Sequence, residues 1–122
     1  MADLSHVKIL MLAPCLGKYG GIESFCLTLC ADILKKGATV RLMRKKVNGF
    51  CSDGSIEKNE GEIASTWSLK LKENFSSQYV DPRDIKIHQA IKNCDLVHLH
   101  NPVLEGVWWS KKEKKPCVMT VY

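Results

Sequence analysis

Residues 7–43 read VKILMLAPCLGKYGGIESFCLTLCADILKKGATVRLM, and the way this stretch divides into elements decides the fold. Residues 7–13 form an apolar run, interrupted only by Lys8 near its start, that stops at Pro14. A run without alternation suits a central parallel strand covered on both faces. From Ile22 the apolar positions are Ile22, Phe25, Cys26, Leu29, Cys30, Ile33 and Leu34, the spacing of one helical face. Lys35 and Lys36 fall in the last turn and Gly37 takes the C′ position beyond it. ATVRLM then reads as a second strand. Strand, helix and strand form a β-α-β unit, whose right-handed crossover makes the two strands parallel.

Working outward, residues 45–65 (KKVNGFCSDGSIEKNEGEIAS) are rich in Gly, Ser, Asn and charge and read as a long loop or loose hairpin. The alternation in TWSLKLK reads as a short strand. In DPRDIKIHQAIKNC, Asp81 is an N-cap, Pro82 sits at N1, and Asp84 favours the first turn. Ile87, Ala90, Ile91 and Cys94 supply that helix's buried stripe. DLVHLHNP reads as a strand, VLEGVWWSKKEKK as a helix with a cationic end, and PCVMTVY as a last strand. Such alternation indicates an α/β, Rossmann-like, doubly wound parallel sheet. No covering helix follows the last strand, so the reading expects more chain after residue 122.

Composition narrows the function classes. The 122 residues suffice for one domain with its own core, and 45% hydrophobic with 25% charged residues is ordinary for a globular protein. A net charge of +5 suits acidic ligands or an anionic membrane surface and does not demand nucleic acid. Six cysteines without an export signal are expected to be reduced and mostly buried in a cytoplasmic protein. No stretch reaches the ~20 apolar residues of a membrane span.

The chemistry candidates lie at strand ends. Gly17, Gly20 and Gly21 stand between the first strand and its helix, where a doubly wound sheet binds ligands. Glycines let a backbone approach a phosphate, and the helix start offers unpaired N–H groups. The alternative is a tight turn that uses glycine only for its positive φ. The pattern matches neither GxGxxG nor GxxxxGK[ST]. Glu23, in the first helical turn, reads as a cap favouring the dipole, and it would repel a phosphate there.

His98 and His100, at i and i+2 on a strand, point to one side. One histidine is expected to pack in the core, with His100, Asn101 and Pro102 shaping a cleft rim. Cys26 and Cys30 fall on the apolar helix face, and neither pair has a third ligand at zinc spacing, so no metal is expected. The basic clusters Arg41, Arg44, Lys45, Lys46 and Lys111, Lys112, Lys114, Lys115 read as solvated faces. The second reading is attraction to anionic lipid, with one of Trp108 and Trp109 in the core and the other an interfacial anchor.

Residues 7–43 also resemble the opening of the GT-B glycosyltransferases of family 4, in which a Gly-Gly-x-Glu loop leads into a helix, Gly-x-x-Val and a second strand. CDLVHLHNP resembles that family's Asp-x-Val-His-x-His strand end, and KKPCVMTVY the strand that follows it. The resemblance implies that residues 1–122 are the N-terminal, acceptor-side domain of a retaining hexosyltransferase. It implies a nucleotide-sugar donor as substrate, no cofactor or metal, and a cell-envelope glycan or lipid-linked acceptor. Gly20, Gly21 and Glu23 match the loop near the donor phosphates and acceptor, and His98 and His100 match the strand-end histidines, whose part in the family is mainly structural or rim-forming. The implied location is the cytoplasm or the inner face of the membrane. The family's histidine after the last strand has no counterpart unless Tyr122 replaces it, and the C-terminal donor domain with Glu-x7-Glu is missing. The chain alone is therefore expected to be inactive. The alternative from outside enzymology is a non-catalytic α/β binding or interaction module with the same ancestry.

Overall fold

The computed structural model describes residues 3–13, 21–45, 67–80, 85–101 and 103–121. Five strands form one sheet: β1 (Lys8–Ala13), β2 (Thr39–Lys45), β3 (Phe75–Val80), β4 (Leu96–His100) and β5 (Cys117–Thr120). Their spatial order is β3-β2-β1-β4-β5, and every pairing is parallel. The described helices are α1 (Gly21–Lys35), α2 (Leu69–Glu73), α3 (Ile85–Lys92) and α4 (Leu104–Lys112). The protein thus has the Rossmann-like doubly wound α/β architecture, with its switch point between β1 and β4.

Two apolar layers sandwich the sheet. Ile9, Met11 and Ala13 of β1 join Val40 and Leu42 of β2 beneath Cys26, Leu27, Cys30 and Leu34 of α1. Leu10, Leu12, Val97 and Leu99 face the other way, toward Ile87, Ala90 and Ile91 of α3. β1 is buried on both faces from Ile9 onward, which is what its unbroken apolar run requires. Asp95 pins the β1–β4 register: its carboxylate accepts from the Lys8 N–H at 2.8 Å, and its own N–H donates to the Lys8 carbonyl at 2.8 Å.

Several expectations change. The α1 stripe is rotated: Leu27 is buried, and Phe25 is 49% exposed. Nine apolar residues spread over more than half of this helix's circumference, so spacing alone left the centre of the buried face open. TWSLKLK is not a strand. Ser68 caps α2, accepting from the Leu71 N–H at 3.4 Å, and Trp67 meets Phe75 edge-to-face at 5.0 Å. The strand in this region is β3, immediately downstream. Gly37 holds φ +97 after α1, as a C′ glycine does, and its N–H donates to the Leu34 carbonyl at 3.0 Å. The 45–65 loop beyond Lys45 and the residues Asp81, Pro82 and Asp84 lie outside the described residues.

Candidate functional site

The sheet reverses its direction of winding between β1 and β4, and Cys26 of α1 lies close to His100 at the end of β4 and to Arg44 of β2. A crevice at such a switch point is where open α/β sheets take ligands. Gly21 is the first residue of α1 and Glu23 lies in its first turn, while Gly20 is outside the described residues, as is the Glu23 side chain. His100 ends β4 and Asn101 follows it. Asn101 takes φ 65, a left-handed turn that asparagine tolerates, and its N–H donates to the Thr120 carbonyl at 2.8 Å. The turn ties the end of β4 to β5.

A polar cluster sits under α1 beside this crevice. Arg44, His100, Cys26 and Cys30 are all buried. Arg44 was expected on a solvated or lipid-facing patch, and the structure puts it inside. It shares the α1-side face of β2 with Val40 and Leu42, four and two residues earlier, so strand alternation was the available signal. The Cys26 thiol is held below the ordinary thiol range, at about 6. Donation from Cys30 is the main cause; burial opposes it, and the neighbouring His100 and then Arg44 add to the lowering. Cys30 has one S–H to give. It points to Met11 Sδ at 3.3 Å, so stabilising the Cys26 thiolate requires that proton to turn toward Cys26.

His98 and His100 do share a side, their rings stacked with centroids 4.3 Å apart. His98 Nε2 is 2.8 Å from Thr120 Oγ1. Burial, and secondarily the neighbouring His100, push the His98 imidazole down to about 4, so it is neutral at physiological pH. His98 is half-buried and His100 is fully buried, so of the two it is His98 that retains solvent contact. Sequence reasoning paired the two histidines correctly and missed Thr120, whose approach depends on the β4–β5 register.

The structure brings Cys26 and Cys30 together with His100, which spacing alone did not reveal. The Arg44 guanidinium beside them disfavours a cation, and among the described residues no group of three or more His, Cys, Asp or Glu side chains forms a metal site. Among the described cysteines none is in a disulfide; Cys26, Cys30 and Cys94 are buried and Cys117 is exposed, while Cys15 and Cys51 lie outside the described residues.

On the other face of the sheet, α4 lies against α3. Trp109 stacks on His88 at 3.7 Å, and His88 Nε2 is 2.7 Å from Glu113 Oε1, a contact that lowers the Glu113 carboxyl. Trp109 is therefore the packed tryptophan and Trp108, 63% exposed, the outward one. No described helix is long and apolar enough to cross a membrane.

Fold and switch point define the chain as a Rossmann-like α/β protein. Neither the protein-family models nor the curated protein sequences provide a match to it.

Proposed function

We propose that this chain is the acceptor-side domain of a GT-B glycosyltransferase of family 4 type. It would line one wall of a cleft in which a sugar passes, with retention, from a nucleotide sugar to a glycan or lipid-linked acceptor. The observation that supports the reading is the β1–β4 switch point of the parallel sheet, with α1 following β1 and the His98–Asn101 segment closing β4. In this reading Gly20 and Gly21 admit a phosphate or sugar close to the backbone, and the α1 N-terminus favours its negative charge. Asn101 and His98 border the acceptor, with neutral His98 able to exchange hydrogen bonds with a sugar hydroxyl. A second α/β domain would close over this wall and bring most of the donor's contacts.

The full burial of His100 favours a second reading, a binding or interaction module with no transfer chemistry, because its imidazole is engaged in the interior. The reading frame beyond residue 122 separates the two. A second α/β domain with Glu-x7-Glu, and transfer or hydrolysis of at least one UDP- or GDP-sugar by the whole product, supports the enzyme. A whole product that turns over no nucleotide sugar in a broad donor panel refutes it. The 122-residue chain alone is expected to bind such sugars weakly or not at all.

A further inference from the structure

We propose that the outer face of α4 docks on an anionic lipid bilayer. This inference is independent of the sugar-transfer reading. Leu104 is 76% exposed, Val107 41% and Trp108 63%. With Lys111 and Lys112 they recur at i, i+3, i+4, i+7 and i+8, so they occupy one side of the helix. Among the described residues these five line a single shallow groove of about 640 Å³.

The fold does not use this side. Gly106 and Ser110 face the sheet and are buried, and Trp109 and Glu113 engage His88 of α3. What is left over is an apolar stripe that runs into Lys111 and Lys112, the latter with its Nζ 5.4 Å over the Trp109 ring. An exposed tryptophan beside lysines is the composition of an interfacial anchor, with the ring at headgroup depth and the ammonium groups on lipid phosphates. Charge selects the occupant. The chain carries a net +5 and the groove is lined by two lysines, Lys111 and Lys112, with Lys114 exposed beyond them, against the two nearby carboxylates Glu105 and Glu113. A second copy of the chain would bring the same lysines in return and add like charge. An anionic bilayer neutralises them.

Co-sedimentation of the 122-residue chain with vesicles, alongside tryptophan emission, tests the proposal. Binding to phosphatidylcholine vesicles containing phosphatidylglycerol is expected, with a blue shift of emission, and it should weaken as salt is raised. The Lys111→Gln/Lys112→Gln double variant should bind roughly 20-fold more weakly, since two lysines lose their attraction to the surface. Trp108→Ala should bind roughly 10-fold more weakly and lose most of the blue shift, since it removes the largest apolar group from the face. All three side chains are exposed, so the far-UV circular dichroism of both variants should match wild type. Equal binding to pure phosphatidylcholine, or affinity unchanged in both variants, overturns the proposal. So does a self-association that Trp108→Ala abolishes in the absence of any vesicle binding, which would make a second copy the occupant.

Discussion

Acidification should weaken the fold through His98, by an amount that can be isolated. In the native state the His98 imidazole is pushed down to about 4, first by burial and then by repulsion from His100. The unfolded chain returns it to its ordinary 6.5. Above 6.5 both states hold a neutral ring and stability is intact. As pH falls from 6.5 toward 4 the unfolded chain takes up the proton and the folded chain does not, so stability is lost across that window. Linkage gives roughly 2 kcal/mol at about pH 5, and about 1 kcal/mol once water's access to this half-buried ring is counted. The assay is urea unfolding of wild type and His98→Gln at about pH 7.5 and about pH 5, comparing the two losses. Carboxylate titrations are common to both proteins and cancel. Wild type should lose about 1 kcal/mol more than the variant on acidification. Equal losses, or a greater loss in His98→Gln, would refute the burial argument.

Three further substitutions probe the packing and backbone geometry on which the fold depends. A Cβ on Gly106 would stand 2.6 Å from Leu99 Cδ2 and 2.7 Å from Leu12 Cδ1, so Gly106→Val should cost about 3 kcal/mol by forcing α4 off the sheet; a urea midpoint equal to wild type would contradict that contact. Ser110 Oγ is buried with no hydrogen-bond partner among the described residues, and Ser110→Ala should stabilise by about 1 kcal/mol. A drop in its thermal midpoint would reveal a partner for the hydroxyl. Because Asn101 sits at φ 65, Asn101→Val should be less stable than Asn101→Gly by about 1–2 kcal/mol, and equal stability in the two variants would count against a left-handed turn there.

What the sequence disclosed, and what it withheld, follows from how local each determinant is. The β1-α1-β2 unit was legible because a central parallel strand needs an apolar side chain at nearly every position, and Gly37 marks the helix end. β3 was not. Ser76, Ser77 and Gln78 pair with β2 on one side only, and an edge strand held by backbone hydrogen bonds needs little apolar patterning. TWSLKLK offered two periods at once. Trp67, Leu69 and Leu71 alternate, but Trp67 and Leu71 are also one helical turn apart, and the Ser68 cap tips the balance to α2. At the candidate site, the shared side of His98 and His100 is local and was read. Contact with Thr120, Cys26 and Arg44 depends on strand order and on which face α1 covers, which no short window contains. The two tryptophans show how one small residue can settle such a case. Composition could not say whether Trp108 or Trp109 packs inside, since they are adjacent. Gly106 can: only a residue without a side chain fits against Leu99 and Leu12, so it must face the sheet. With that phase fixed, Ser110 follows it one turn later on the buried side and Trp109 turns to His88. Leu104, Trp108 and Lys111 are then left together on the outside, so the glycine that seats α4 on the sheet also determines which apolar side chains it presents to solvent.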